Sequence, residues 1–450
     1  MPDREIQKTM ARVVRQCLAA NSNGVPNEKI FYRIQQVRVE LAMALLQRLV
    51  DVQSRGTEVF GILSVAWDTT SSTHPTYESA LLNDDMEYYG SLLNILFLAL
   101  QFHLAGPHRS DPEALSKRPE VSSDLSIVLQ IVKTVVAQGM RALTIYLHEE
   151  SQRVSPKDFA VLTAILQTGL KVKDVDRIYE QISYDLIEGD AIRYGLTLFS
   201  WSYQLTVAGD PIYGELSILY LLELSCIPMV AEQMAVDGLL ANLSTYRLTE
   251  VLRQPQGCGP FDAVPRLFAI WSSGILRLCL NLLYHVGRTA PEISAFLNQF
   301  DGQLRRATNA FSIGHPTSSP AKPLSGSVGP PSASQSTRGI SLGIASEATS
   351  LALISAIIRK FRSAGPSAGV DSQQIQELKW DGAQVKDDIE GLLEKRAMLR
   401  SRIAPTNETE LAWSRQAASD ASGGAESLLE EKIVKELKAA TSCLEDAGSN

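Results

Sequence analysis

Apolar residues recur every three or four positions along most of the chain, and each run is closed by proline, glycine or a short polar turn. The pattern is densest over 210–311. There Asp210-Pro211 leads into Leu216, Leu219 and Leu222, and Cys226-Ile227-Pro228 leads into Val230, Met234, Leu240 and Leu243. A Pro/Gly break at 255–260 precedes a third apolar helix, expected over 264–286, and a fourth begins at Pro291. A spacing of three to four is the period of one helix face, and the breaks are helix punctuation. No segment of this kind buries its apolar face alone, so neighbours must stack, as in a helical-repeat array.

The same reading extends back to residue 3. A helix over 3–20 is followed by a long one marked by Ile30, Ile34, Val37, Leu41, Leu45, Leu49 and Val52 and stopped at Gly56. A shorter helix over 59–67 runs into a Thr/Ser-rich turn at 69–75. Residues 92–104 are apolar nearly all round, which predicts a helix enclosed by others. A polar loop at 106–119 precedes the stripe Leu125, Val128, Val132, Val135, Met140, Leu143 and Leu147. Ser155-Pro156-Lys157-Asp158 has the chemistry of a helix start: a capping hydroxyl, a first-turn proline and an acid three residues on. That helix is expected through Leu166 and on toward Leu186, with another over 192–205 after Gly189.

No period-two alternation of strands interrupts this succession, so the fold class is all-α. Helix pairs recur at intervals of roughly 40 residues or more, the range of HEAT and armadillo units. A solenoid of degenerate armadillo/HEAT-like repeats is expected, with a closed helical bundle as the alternative. More than half of 313–340 is Pro, Gly or Ser, which predicts a flexible linker where protease cuts first. The expected organisation is a solenoid body over 1–311, a disordered linker over 312–345 and C-terminal helices over 346–450 that cap or extend the body. Those last helices are expected over 346–362, 375–402 and 408–418, then along Leu428, Leu429, Ile433, Leu437 and Leu444.

Composition narrows the function. The net charge is −8 with a pI near 5.5, which argues against nucleic acid as a partner. Cys17, Cys226, Cys258, Cys279 and Cys443 are scattered without metal or disulfide spacing, as expected of reduced thiols in a cytosolic or nuclear compartment. Pro2-Asp3-Arg4-Glu5 follows Met1 where a secretory signal would be apolar. The most membrane-like stretch, 92–104, is short and carries Asn94, Gln101 and His103, so no direct membrane insertion is expected.

Phosphate-binding glycine loops, His-Glu-x-x-His, Cys-x-x-Cys and Gly-x-Ser-x-Gly do not occur, so no catalytic, cofactor or metal residue is assigned. His103 and His108 are separated by Gly106-Pro107 and do not share a helix face; His148-Glu149-Glu150 reads as a helix end. Asp84-Asp85 and Asp387-Asp388 are adjacent pairs, which point apart on a helix and read as caps or solvated groups. Trp201, Tyr203 and Trp271 would suit a peptide groove, although packing between stacked helices explains them more simply. Trp380 and Trp413 lie in polar helices and need cover from the tail or a partner.

One resemblance adds to this. Residues 221–243 look like an armadillo-type unit, and Ala269-Ile270-Trp271-Ser272-Ser273-Gly274-Ile275-Leu276, Cys279-Leu280-Asn281-Leu282-Leu283, Pro291-Glu292 and Phe296-Leu297-Asn298-Gln299-Phe300 follow. Together they resemble the C-terminal tail of the nucleoporin 188 family, in a fungal form, most clearly over 210–311. Members of that family are scaffold proteins of the nuclear pore inner ring, several times longer than this chain, so Met1 would begin a C-terminal piece. The resemblance implies a right-handed superhelix without catalytic residues. It further implies contact with the inner-ring scaffold nucleoporin of the nucleoporin 93 class, and weak binding of Phe-Gly repeats. The partner-binding residues stay unassigned. The rival expectation is a karyopherin-like soluble carrier, for which Trp67, Trp201, Trp271, Trp380 and Trp413 are too sparse and irregular.

Overall fold

The computed structural model describes residues 2–22, 29–52, 60–105, 121–312, 339–363, 375–417 and 426–445. The expected loop at 106–119, the stop at Gly56 and most of the expected linker (313–338) lie outside the described residues. The protein is an all-α solenoid by class, 79% helical and without strands among the described residues. Contacts divide it into two compact units, Met1–Leu198 and Phe199–Asn450.

In the first unit α1 (Pro2–Ser22) and α2 (Lys29–Asp51) form a hairpin, followed by α3 (Phe60–Thr73), α4 (Tyr77–Leu82) and α5 (Met86–Ala105). Then come α6 (Val121–Ile131), a π-helical segment (Val132–Ala137), α7 (Gln138–Glu149), α8 (Pro156–Gly169), a 3₁₀ turn (Val175–Ile178) and α9 (Tyr179–Glu188). The division falls within α10 (Ala191–Trp201). As its composition predicts, α5 is enclosed: it packs on α2, α3 and α8 and buries Leu92, Leu93, Ile95, Leu96, Leu98, Ala99, Leu100 and Phe102. Each such leucine stabilises by roughly 1.5–3 kcal/mol relative to exposure, so α5 anchors its unit.

The start of α8 is the one the local chemistry predicts. The Asp158 carboxylate accepts from the Ser155 backbone N–H at 2.8 Å and from its hydroxyl at 2.9 Å, with Pro156 in the first turn. Asp158→Ala should cost about 1 kcal/mol of unfolding free energy in a denaturant titration; no measurable loss would mean that the cap is redundant.

Three expectations fail for identifiable reasons. The Thr/Ser-rich stretch after Trp67 is helix, not turn, and α3 runs to Thr73. The hydroxyls of Thr69, Thr70 and Thr73 donate to the carbonyls of Val65, Ala66 and Thr69, four residues back, and so remain satisfied inside the fold. The helix expected from Pro156 through Leu166 and on toward Leu186 ends at Gly169, and Asp174 adopts φ 62° before α9. The helix expected over 375–402 starts only at Gly382, capped by the Asp381 side chain on the Gln384 N–H, and breaks again at Lys395.

The second unit contains α11 (Ile212–Leu224), α12 (Pro228–Val236), α13 (Leu239–Thr245), α14 (Arg247–Leu252) and α15 (Pro265–Ala269). A second π-helical segment (Ile270–Ile275) runs into α16 (Leu276–His285), then α17 (Ala290–Leu297) and α18 (Asp301–Asn309). Beyond residue 338 come α19 (Leu342–Ser363), α20 (Gly382–Glu394), α21 (Arg396–Arg402), α22 (Glu408–Arg415) and α23 (Leu428–Glu445). The helix expected from Ser346 thus begins at Leu342, and the stretch before it is ordered: Ile340 is buried and bridges Ile403. The Arg402 guanidinium donates to the carbonyls of Ala310, Phe311 and Ser312 at 2.7, 3.1 and 3.3 Å. It thereby satisfies the carbonyls just beyond α18 and ties that helix to α21. Accordingly α19 packs on α16 and the π segment as well as on α23.

Both π segments sit in the middle of long apolar helices. An i→i+5 turn inserts one residue and re-phases the face that follows. In the second, Gly274 lies where an added Cβ would be 2.5 Å from the Ile218 side chain, so α11 packs directly on helix backbone. Among the described residues three helical stretches are long and apolar enough to cross a membrane by length and composition: Asp124–Glu149, Pro265–His285 and Leu342–Ser363. The stretch at 92–104, which the sequence alone singles out, is not among them. Within their own units 61%, 61% and 50% of these windows are buried, so neighbouring helices cover much of their apolar surface.

Candidate functional site

A cleft of about 700 Å³ opens in the second unit, bounded by the turn before α11, by α15 and the π segment, and by the starts of α19 and α22. Two features of the sequence shape the rim. Val207 and Asp210 bridge across Ala208 and Gly209, both in the left-handed region at φ 53° and 83°. At the other side Asn407 caps α22 through the Glu410 N–H, while the Glu410 carboxylate accepts from the Thr406 N–H at 2.8 Å and its hydroxyl at 3.0 Å. Arg266 is pinned between Asp210, at 2.6 Å, and Glu215. Arg277 stands exposed on the same rim. Val264, Pro265, Phe268 and Leu342 supply apolar lining.

Beneath Phe268 lies a buried polar cluster. The Trp271 indole N–H donates to Glu347 Oε1 at 2.7 Å, and Arg306 pairs with the same oxygen. Glu347 is 1% exposed, and its second oxygen has no hydrogen-bond partner. The Arg306 guanidinium lies 5.0 Å from the centre of the Phe268 ring, and Trp271 packs against Phe300. The cluster holds the cleft floor to α18 and α19. A groove with an apolar floor and fixed charges at its rim suits side chains of a peptide or helix. The lining residues include no histidine or cysteine to act as a base or nucleophile.

The aromatic candidates disperse. Trp271 is fully buried, which makes it a packing residue and removes it from any groove. Trp201 is half-buried, and Tyr203 is 42% exposed with the Arg247 guanidinium over its ring. Trp380 is buried within the chain itself, while Trp413 is half-buried beneath Lys432. His108 lies outside the described residues, so His103 and His108 are not placed together. His148 and Glu149 are exposed in the last turn of α7, as a helix end should be. Asp387 is exposed; Asp388 accepts from the Ser312 hydroxyl at 3.1 Å. Among the described residues no group of three or more His, Cys, Asp and Glu is placed to hold a metal.

Asp85 does more than solvate. It lies 2.9 Å from His74 Nε2 and accepts from the Tyr32 hydroxyl at 2.8 Å, while His74 Nδ1 is 3.4 Å from Ser79 Oγ. The Ser79–His74–Asp85 connectivity is that of a catalytic relay. However, His74 is buried and edge-on to the Tyr89 ring, and the 3.4 Å serine contact is long. The trio pins the turn between α3 and α5. The Tyr32–Asp85 contact, like Arg306–Glu347, joins residues far apart in sequence and leaves no local signal.

Packed helix pairs, locked by buried polar clusters, define a helical-repeat protein. The chain belongs to the family described as nuclear pore protein NUP188 C-terminal domain, which it matches over residues 62–444. Members are components of the nuclear pore complex at the nuclear envelope. The chain is 33% identical to nucleoporin NUP188 of Chaetomium thermophilum over 95% of its own length and 24% of that protein's. To nucleoporin nup184 of Schizosaccharomyces pombe it is 26% identical, over 50% of this chain and 14% of that one. It thus spans about a quarter or less of these relatives. A solved fragment, Nup188 (aa1445-1827) from Myceliophthora thermophila, superposes with TM-score 0.68 at 31% identity, covering 86% of this chain and 98% of the fragment.

Proposed function

We propose that the chain is a non-enzymatic scaffold element of the nuclear pore inner ring that holds short helical segments of other nucleoporins. The observation that carries this reading is the cleft beside Arg266 and Arg277, a groove with apolar lining from Val264, Pro265, Phe268 and Leu342 and with anchored charges at its rim. An amphipathic helix offers such a groove anchors at i, i+3/4 and i+7, with acidic neighbours for Arg277. The segments best matched to this role come from the inner-ring scaffold nucleoporin of the nucleoporin 93 class, and weak Phe-Gly repeat binding is a secondary expectation. The carrier reading gains no support, because Trp271 and Trp380 are buried and do not line an inner surface.

The test is titration of the 450-residue chain with helical segments of that scaffold nucleoporin, followed by calorimetry. Specific binding that Arg277→Glu weakens by about ten-fold is the expected result, on the scale of one lost rim charge with a repulsive one added. No specific retention of any segment would overturn the reading.

A further inference from the structure

The cleft in the second unit has walls of unlike charge. α19 runs between them, packed on the π segment and α16 to one side and on α23 to the other, while α22 packs on α23. Two contacts fix that order. A Cβ at Gly343 would lie 3.1 Å from the Phe268 ring, and the Thr349 hydroxyl donates to the Glu436 carbonyl at 3.0 Å. The charged lining residues therefore fall on two sides. Arg266 and Arg277 stand with α15 and α16, together with Asp210 and Glu215; Glu410 and Glu436 stand with α22 and α23. On the first wall Arg266 offers no free charge, because Asp210 and Glu215 both pair with it. What that wall shows to a ligand is the exposed guanidinium of Arg277.

The opposite wall contributes two carboxylates to the lining and no lysine or arginine. Glu410 is occupied at the start of α22, where it accepts from the Thr406 N–H and hydroxyl, and that duty accounts for it. Glu436 has no such duty. Its side chain is half-buried and makes no hydrogen bond or ion pair among the described residues. Lys432, one turn before it, is turned onto the Trp413 ring, and Lys435, its neighbour in sequence, leaves the helix on another side. A helix lying in a groove has two flanks, one toward each wall, and exchanges them when turned end for end. Walls of one charge accept both directions. Walls of opposite charge accept one, because the reversed helix sets like charges together on both sides. We propose that the cleft binds an amphipathic helix in a single direction, with lysine or arginine along the flank that meets Glu436 and an acidic residue along the flank that meets Arg277. This rests on the cleft being a helix seat and adds what the seated helix must carry.

The probe is a synthetic helix of about 18 residues, or five turns, with leucines at i, i+3/4 and i+7. It carries lysines along one flank, glutamates along the other and a photo-cross-linker at its N-terminus. In calorimetry with the 450-residue chain it should bind about ten-fold more tightly than the same helix with glutamate on both flanks. The difference should shrink as salt is raised. Arg277→Glu and Glu436→Lys should each weaken binding about ten-fold. Together they exchange the charges of the two walls. The double variant should therefore recover the affinity with the helix reversed, its cross-links moving to the other end of the cleft. Equal binding of the two helices, a double variant as weak as the single ones, or cross-links that stay in place would overturn the single direction and leave the helix seat standing. No binding by either helix, in a chain that melts normally, would overturn the seat and the direction with it.

Discussion

Replacing Arg306 with alanine will destabilise the second unit by about 3–5 kcal/mol, the range found when one partner of a buried ion pair is removed. The reason is Glu347. It is 1% exposed, accepts only the Trp271 indole N–H and Arg306, and has a second oxygen without a partner. Without Arg306 its charge has no counter-ion. The loss should also loosen Phe268, over which Arg306 lies, and with it the cleft floor. Chemical denaturation reads the effect. The double variant Arg306→Ala with Glu347→Leu should recover most of the loss, because it removes the stranded charge and fills its place. A cost under about 1 kcal/mol for Arg306→Ala would place the pair among exposed surface bridges, against its burial in the fold.

Gly302→Ala is expected to do comparable damage by a different route. A Cβ at Gly302 would sit 2.1 Å from the Gln254 carbonyl oxygen and 3.0 Å from the Gly257 nitrogen, all backbone atoms that cannot swing away. Overpacking against movable side chains costs about 1–3 kcal/mol, and here α18 or the 254–257 turn must shift bodily. Gly257 cannot yield easily, since it is held at φ +70° with its own Cβ position 2.9 Å from the Gly302 oxygen. Gly90 provides the control. It lies within α5 with nothing within 4 Å of its would-be Cβ, so Gly90→Ala should stabilise by roughly 0.5–1 kcal/mol. Melting temperatures of the two variants should therefore move in opposite directions; a loss with Gly90→Ala or none with Gly302→Ala would contradict this account.

What could be read in advance was what neighbours in sequence decide. Ser155 and Asp158 are three residues apart and announce α8; the apolar character of α5 announces its burial. The resemblance carried by the 269–300 residues extends to a family match over most of the chain. Misreadings arose where partners are distant or where a local tendency is outvoted. Thr69 to Thr73 read as a turn because hydroxyls favour turns, yet packing rewards keeping them helical and bonded to their own helix. The π segments are invisible to a search tuned to a period of 3.6. The cleft was not anticipated, because Arg266 reaches Asp210 across 56 residues and Arg306 reaches Glu347 across 41. Trp271 read more simply as a packing residue than as a groove residue, and its neighbours Glu347 and Phe300 place it in the core.

The placement of the thiols makes the second unit its own reporter. Cys226 is exposed, whereas Cys279 is fully enclosed on α16, where burial pushes its thiol far above the usual range, and Cys258 is buried with its thiol also pushed up. An alkylating reagent therefore meets Cys226 at once, reaches the half-exposed Cys443 without large motion, and reaches Cys258 and Cys279 only when helices part. The delay between the labels on Cys226 and those on Cys258 and Cys279 is a clock for the opening of that unit, readable by peptide mass on unmodified protein and slowed by any partner that closes around α16.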